Sequence, residues 1–318
     1  MHTTTTSTST SASPLLENGY SSLTGVLTPE EAAILRRESV AFLSQDPRPY
    51  SELRDVLRDS NGYQLGTFTN DSWTIVMDPL GTSAEFDRLL EKVASHPAVM
   101  ETLRGVMGPD FKLWQVTLRE AKPGGIGQNL HQDSTGGVNF SILLDETNGE
   151  GTTVFLRGSH TWPISIVDFG SWLQKPSRLK RLLTTAAGKP GDVFFWLNRT
   201  WHGRNPGPRP SIAVMFAFHA AGSTYPLKRL PPEVLARLGP TLRTLLDPDQ
   251  GVELVDQGRR ARVAGDERSF PSTQAREVLT ESVPRPALSG WTAVATWATC
   301  RRALKRQLVR TGLVRAAS

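Results

Sequence analysis

The spacing of apolar residues divides the chain into a helical first third and a strand-rich middle. Up to residue 108, apolar positions recur with helical spacing in "LTPEEAAILRRESVAFLSQD", "TSAEFDRLLEKVASH" and "PAVMETLRGVMG". Each segment also carries residues that start or end helices: Thr28 with Glu31, Thr82 with Glu85, and Pro97 with Gly108. The pattern therefore predicts that residues 15–108 are mainly helical, apart from the segment 63–77.

From residue 111 onwards the pattern changes to that of β-strands. Five runs alternate or are β-branched and aromatic: "FKLWQVTLREA", "GVNFSILLDE", "GTTVFLRG", "GDVFFWLN" and "PSIAVMFAFHA". Glycine- and proline-rich turns such as "KPGGIG" and "NPGPRP" separate them. So many strands in a short stretch predict a β-barrel or jelly-roll core over residues 109–225.

The two ends of the chain differ from this core. Residues 1–14, "MHTTTTSTSTSASP", are polar and repetitive, which predicts a disordered tail and not a secretory signal. Helical patterns return in "PPEVLARLG", "PTLRTLLDP" and "GWTAVATWATCRRALKRQLVR". We therefore expect one domain over residues 15–225 and a C-terminal helical extension over residues 226–318.

Net charge argues against a nucleic-acid partner. The formal charge is +5, but residues 301–318 carry six basic and no acidic residues, so the remaining 30 Lys and Arg nearly balance 31 Asp and Glu. A nucleic-acid-binding domain is normally basic over its folded face. No apolar run approaches the roughly 20 residues of a membrane span. The basic C-terminal helix still leaves weak association with an anionic membrane surface open.

Cysteine usage suits a reducing compartment. Cys300 is the single cysteine, so a disulfide within the chain and a cysteine-based zinc site are both excluded. The expected location is the cytoplasm.

The segment "NLHQDSTGG" holds the first candidate chemistry. In a strand, residues two apart point to the same face, so His131 and Asp133 would project side by side. One imidazole and one carboxylate make two-thirds of the facial triad of non-haem Fe(II) oxygenases. The pair alone is a weak signal, because His-x-Asp often arises by chance.

A third ligand must come from elsewhere, and His202 is the favoured one of six histidines. It follows "GDVFFWLNRTW", so a strand would deliver it into a loop before the next strand. His96, before Pro97, is interpreted as structural; His160, in a turn, as a hydrogen-bonding residue; and His219, at the end of an apolar strand, as a core residue.

A carboxylate anchor is predicted on the last strand run. Arg209 lies seven residues after His202, and arginine binds carboxylates through two parallel hydrogen bonds. Ser211 lies two residues further on, on the same strand face, where its hydroxyl could donate to the same carboxylate.

With these parts the chain resembles the phytanoyl-CoA dioxygenase family of Fe(II)/2-oxoglutarate oxygenases, which includes ectoine hydroxylase. The resemblance rests on "LHQD", "FSILLDETNGEGTTVFLRGSH" and "GDVFFWLNRTWHGRNPGPRPSIAVMF", within about residues 111–220. It implies a mainly β fold with helices, in which a double-stranded β-helix is flanked by N-terminal helices. The loop before Arg209 is shorter than in many relatives, and residues 248–318 have no recognised counterpart.

The resemblance also implies roles for individual residues. His131, Asp133 and His202 would bind iron, and Arg209 with Ser211 would grip the distal carboxylate of 2-oxoglutarate. Two further residues, Ser141 and Gln132, match co-substrate contacts of some members.

The implied reaction uses Fe(II), 2-oxoglutarate and O₂ to hydroxylate an unactivated C–H bond of a small molecule, with release of succinate and CO₂. Halogenases of this type lack the carboxylate that Asp133 provides, so hydroxylation is favoured, while desaturation and ring formation stay open. Arg outnumbers Lys 28 to 8, as in GC-rich bacterial genomes, which favours bacterial secondary metabolism. The substrate and the oligomeric state are not fixed by the sequence.

The sequence leaves two alternative functions open and offers two weaker candidates for substrate contacts. The same ligands could hold zinc in a hydrolase, but no neighbouring general base is evident and Arg209 would be unexplained; a non-catalytic barrel is the other alternative. Trp114, Trp196 and Trp201 could cover a bulky substrate or simply pack the core. Arg119 and Lys122 could meet an anionic substrate, although charged residues at strand ends are usually solvated.

Overall fold

Two antiparallel sheets form the centre of the protein in the computed structural model, which describes residues 12–53, 65–125, 127–133, 137–161, 183–220 and 230–246. The helices are Ala12–Asn18 (α1), Pro29–Leu43 (α2), Ala84–Ala94 (α3), Pro97–Met107 (α4), Pro232–Arg237 (α5) and Pro240–Leu245 (α6). The strands are Tyr20–Leu23 (β1), Arg48–Pro49 (β2), Gly66–Thr69 (β3), Trp73–Met77 (β4), Phe111–Ala121 (β5), Gln128–His131 (β6), Gly137–Leu143 (β7), Thr153–Leu156 (β8), Leu183–Thr185 (β9), Val193–Leu197 (β10), His202–Arg204 (β11) and Ser211–Ala220 (β12).

The strands form an eight-stranded major sheet and a four-stranded minor sheet. The major sheet has the order β1-β10-β7-β12-β5-β4-β3-β2, and the minor sheet has the order β6-β11-β8-β9. All neighbours pair antiparallel except β2 and β3. The sheets meet through their side chains, since the rings of Phe155 on β8 and Trp196 on β10 lie 5.8 Å apart. This mainly β arrangement with outer helices confirms the predicted fold class.

The strand prediction is confirmed for five runs and incomplete elsewhere. The predicted runs correspond to β5, β7, β8, β10 and β12. The other seven strands, of two to five residues, were not predicted, because such short elements carry too few residues for a clear period. Four of them, β1 to β4, lie in the first third of the chain and add to the major sheet. That third is therefore less helical than predicted.

The helix boundaries follow the predicted signals with one correction. Thr28 caps α2 as expected: its hydroxyl accepts from Glu31 N at 3.3 Å, and Thr28 N donates to the Glu31 carboxylate at 3.0 Å. The cap of α3 is Ser83 and not Thr82, because the Ser83 hydroxyl accepts from Phe86 N. The predicted partner Glu85 pairs instead with Arg88. Gly108 ends α4 as predicted.

The helices cover one face of the major sheet and leave the other face to the interior between the sheets. The covered face is apolar, and Phe140, Phe195 and Phe216 on neighbouring strands are fully buried there. The rings of Phe140 and Phe216 stack with centroids 4.5 Å apart. Burying each such ring stabilises the fold by about 2–3 kcal/mol. The main core therefore lies between the helices and this face.

Both predicted terminal segments fall largely outside the described residues. Helix α1 begins at Ala12, inside the segment predicted to be a disordered tail, and residues 1–11 are not described. In the predicted extension, α6 is held by the Glu91 carboxylate, which accepts from Thr241 N and Leu242 N at 2.8 and 2.9 Å. The predicted basic helix and Cys300 lie in the undescribed residues 247–318. Within the described ranges, no helix has the length and apolar character to cross a membrane.

Candidate metal centre and co-substrate pocket

His131, Asp133 and His202 meet at the edge of the minor sheet. His131 ends β6 and lies opposite His202, which begins β11, and their rings are 4.4 Å apart. The carboxylate of Asp133 lies 3.7 Å from His131 Nε2 and 3.4 Å from His202 Nε2. One ligand atom from each residue lies within 4.8 Å of the other two. His202 thus lies in a short strand and not in the predicted loop, and Asp133 lies just past β6.

The tautomer of His202 is set by its neighbour. Its Nδ1 lies 2.8 Å from the carbonyl oxygen of Thr200, which can only accept, so Nδ1 carries the proton and Nε2 keeps its lone pair. Thr200 is held in turn, because its hydroxyl donates to Gly19 O at 2.7 Å. Gly19 has φ of +83°, and an added Cβ there would lie 2.4 Å from the Thr200 hydroxyl. The turn before β1 thus supports the ligand.

Asp133 is oriented by two asparagines. Asn139 on β7 donates from Nδ2 to the Asp133 carboxylate at 2.7 Å, and Asp133 N donates to Asn198 O at 2.9 Å. Burial is the largest influence on this carboxyl and raises its pKa, but His202, His131 and Arg119 together hold the pKa below its ordinary range. The group is therefore ionised at neutral pH and able to bind a cation.

A buried arginine, Arg204, lies in the same interior. It is two residues after His202 on β11, so both side chains leave the strand on one face. Its Nη2 donates to Gly151 O at 2.8 Å and also to the hydroxyl of Ser211 on β12 of the major sheet. Its guanidinium carbon lies 5.5 Å from the ring centroid of Trp73. Among the described residues, Nη1 has no hydrogen-bond partner.

The guanidinium of Arg204 is cationic, and nearby carboxylates offset its positive charge only in part. Burial and, to a smaller extent, the charge of nearby Arg119 lower its pKa to about 10, while the charge of Asp145 opposes this. Asp145 is already engaged, because it binds Arg36 at 2.7 Å and accepts from Ile212 N at 2.7 Å. A buried cation in such surroundings favours an anionic ligand.

The three donors suit Fe(II). Two imidazole nitrogens and one carboxylate are the ligand set of the facial triad. Facial ligands of an octahedral ion lie roughly 3 Å apart when the bonds are about 2.1 Å, and the 3.4 and 3.7 Å separations need only a small closure. The chemistry and the spacing of these residues therefore fit the ion.

Comparison with known proteins gives the family. The model of the phytanoyl-CoA dioxygenase family matches residues 15–207, more than half of the chain. The chain belongs to the phytanoyl-CoA dioxygenase family. It is therefore an Fe(II)/2-oxoglutarate-dependent enzyme, whose cofactor and co-substrates are Fe(II), 2-oxoglutarate and O₂.

Solved structures of other proteins resemble this chain at low identity. The non-haem α-ketoglutarate-dependent epimerase SnoN from nogalamycin biosynthesis is 17% identical, with a TM-score of 0.50 over 66% of this chain and 82% of SnoN. SnoN has also been solved in complex with Fe³⁺, α-ketoglutarate and nogalamycin RO. EctD from S. alaskensis with bound Fe is 19% identical, with a TM-score of 0.47 over 66% of this chain and 75% of EctD.

In this family member, the four predicted co-substrate residues occupy different surroundings. Arg209 is exposed in the loop before β12, whereas Ser211 is buried and its hydroxyl donates to Gly151 O beside Arg204. Ser141 is buried on β7, and Gln132 donates from its amide to Arg199 O. Their assignment as co-substrate contacts stays a prediction.

Arg204 is the residue that the sequence reading missed. The signal was available, since the two-residue rule that pairs His131 with Asp133 also places Arg204 on the face of His202. The sequence pattern predicts a loop at His202, and the rule does not apply in a loop.

Aromatic rings line the interior near the metal ligands. The ring of Trp196 lies 5.5 Å from that of His202, and Phe155 lies against Trp196. Trp114 packs against His219 at 5.6 Å, away from the three ligands along β5 and β12. Of the three tryptophans considered as substrate contacts, Trp196 is therefore the one whose ring lies against a metal ligand. Trp201, next to His202 in the sequence, is buried.

Proposed function

We propose that the protein hydroxylates an unactivated C–H bond of a small molecule, with conversion of 2-oxoglutarate to succinate and CO₂. The observation that carries this proposal is the meeting of His131, Asp133 and His202 beside a buried arginine. When bound there, Fe(II) with the keto acid and O₂ supplies the oxidising chemistry. The Asp133 carboxylate favours hydroxylation over halogenation, as in relatives that keep this ligand.

Hydrogen bonds orient the side chains of the proposed metal ligands before the metal binds. Thr200 keeps the lone pair of His202 on Nε2, and Asn139 directs a carboxylate oxygen of Asp133 towards the two imidazoles. A ligand set oriented in this way loses little freedom when the ion binds.

Arg204 is the residue that we propose binds the distal carboxylate of 2-oxoglutarate. Gly151 and Ser211 hold one edge of its guanidinium, which leaves Nη1 for a ligand oxygen. Hydrogen bonds between two charged groups in a buried site are strong, and a diacid would offset the uncompensated charge. The exposed Arg209 is the competing assignment.

The substrate would lie against the aromatic wall. The ring of Trp196, packed against the fully buried Phe155, forms an apolar wall next to the metal ligands, which suits a small molecule and would exclude water around the reacting bond. The excess of Arg over Lys supports a substrate from bacterial secondary metabolism.

Succinate formation tests the proposal. Wild-type protein with Fe(II), O₂ and 2-oxoglutarate should release succinate, and candidate metabolites should be screened for stimulation. His131→Ala and Asp133→Ala should each lose the activity while circular dichroism shows a retained fold. His96→Gln is a matched histidine control at the start of α4 and should keep the activity. Wild-type turnover in Asp133→Ala would refute the ligand set.

A further inference from the structure

Arg119 is a second arginine in the interior between the sheets. It lies on β5 opposite Ala213 of β12, on the strand face shared with Thr117 and not on the face of the fully buried Leu118. Its side chain is half-buried, and its Nε donates to the Thr117 hydroxyl at 3.3 Å. Among the described residues, this is the one hydrogen bond of its guanidinium, so the two terminal nitrogens are available.

The surroundings of Arg119 place it next to the metal centre. Burial lowers its pKa, and the charge of Asp133 and the side chain of Tyr50 oppose this. For Arg204, burial is again the largest influence on the pKa, and the charges that act on it are those of Arg119 and Asp145.

The strand register gives the same placement. On this face of β5, Gln115 lies opposite Ala217, whose other neighbour Asn139 binds Asp133. Ala121 of β5 lies opposite Ser211, which binds Arg204. Arg119 lies between Gln115 and Ala121, and therefore between the proposed metal site and the proposed co-substrate anchor.

The charges of the occupied pocket do not balance without a further anion. A divalent metal ion and a doubly charged keto acid cancel each other. Among the described residues, the carboxylates that act on Arg119 and Arg204 are Asp133 and Asp145, and Asp145 is already paired with Arg36. One positive charge remains in surroundings where an unpaired charge is unfavourable.

We infer that the substrate carries an anionic group, of the carboxylate class, which Arg119 binds beside the metal. The inference rests on the proposed function, because it assigns the remaining charge to the substrate of that same site. A carboxylate would receive two parallel hydrogen bonds from the free nitrogens of the guanidinium. It would also fix which C–H bond of the substrate faces the metal.

Matched pairs of ligands test this assignment in binding and not in turnover. Co(II)-loaded protein with saturating 2-oxoglutarate is titrated with butyrate, cyclohexanecarboxylate and benzoate, and with the primary amide of each acid. The visible spectrum of the cobalt ion reports binding near the metal. We expect at least one acid to bind about tenfold or more tightly than its amide, as one charge-assisted contact predicts.

Three variants locate the source of that preference. Arg119→Gln should remove the preference for acids, and Arg119→Lys should keep part of it. Lys122→Gln is the matched control: Lys122 follows β5 and donates to the Thr69 hydroxyl and Asn70 O at 2.7 and 2.6 Å, so its loss should leave the preference intact.

Three results would overturn the inference. One is equal binding of acids and amides by the wild type. Another is a preference that survives in Arg119→Gln. The third is displacement of 2-oxoglutarate by the acids, since this would assign Arg119 to the co-substrate. Failure of the proposed function is distinguishable, because it appears as wild-type protein that forms no succinate from 2-oxoglutarate.

Discussion

The two faces of the major sheet have opposite characters although they alternate along the same strands. On β7, Phe140 faces the helices and is fully buried among aromatic rings, while its neighbours Asn139 and Ser141 face the interior. On β5, Leu118 faces the helices and Arg119 faces the interior. The comparison teaches that folding stability and chemistry are carried by adjacent residues with separate surroundings. Substitutions on one face should therefore leave the property of the other face largely unchanged.

The largest effect is expected on the helix-covered face. Phe216→Ala removes a fully buried ring that stacks on Phe140, so the free energy of unfolding should fall by about 3–5 kcal/mol. Chemical denaturation measures this. The iron affinity of the folded protein should stay close to wild type, and a loss of iron binding as large as the loss of stability would break the separation of the faces.

A somewhat smaller effect is expected for the proposed co-substrate anchor. Arg204→Gln should raise the KM for 2-oxoglutarate about 100-fold, because a charged hydrogen-bonding partner is lost, while Fe(II) affinity is kept. Arg209→Gln is the paired variant, since Arg209 is the exposed arginine of the neighbouring loop. A steep rise in KM for Arg209→Gln with no rise for Arg204→Gln would reverse the assignment.

Removal of the group that orients a ligand should have a more modest effect. Asn139→Ala deletes the hydrogen bond to the Asp133 carboxylate without removing the carboxylate. Metal affinity should fall about 10- to 100-fold, as for other residues that orient metal ligands. A titration with Co(II) measures this, and unchanged affinity would mean that Asp133 is held by other contacts.

The smallest effect is expected in the pH dependence of stability, through Asp87 in the helices that cover the major sheet. Burial is the main cause that raises the pKa of Asp87 on α3 to about 6 from 3.8, against the Gly81 N–H and Arg237, which lower it. Because the folded protein holds this proton more tightly, the stability contribution is complete below about pH 4 and is lost as pH rises through 6.

Between pH 5 and pH 8, the loss should be about 1 kcal/mol relative to Asp87→Asn, which does not titrate. Unfolding free energies of both proteins at the two pH values measure it. An identical pH dependence in the two proteins would remove Asp87 as the cause.

The major strands and the metal ligands could be predicted because they depend on local patterns. The strands β5, β7 and β12 are long enough to show a period, β10 is a run of five apolar residues, and a two-residue spacing already pairs His131 with Asp133. The same spacing places Arg204 on the face of His202 once His202 is known to lie in a strand, but the hydrogen bond from Arg204 to Ser211 of β12 is a contact between the two sheets. Such a contact depends on how the sheets pack, which no local pattern records.

The helix α3 is capped by Ser83 and not by the predicted Thr82 for a similar reason. Thr82 and Ser83 both have hydroxyl groups suited to capping a helix. Glu85 lies three residues after Thr82, and Phe86 lies three residues after Ser83. The start of the helix is decided by packing, because α3 buries the apolar residues Phe86, Leu89, Leu90 and Val93 against the core. Tertiary packing thus selects among local alternatives that are nearly equal in energy.

Anaerobic equilibrium dialysis against Fe(II) tests most directly whether His131, Asp133 and His202 form one metal site. We expect one ion per wild-type chain, loss of that ion in Asp133→Ala and in His202→Ala, and retention of 2-oxoglutarate only when the ion is bound. Wild-type protein that binds no iron, or an Asp133→Ala protein that binds iron as tightly as the wild type, would contradict the account.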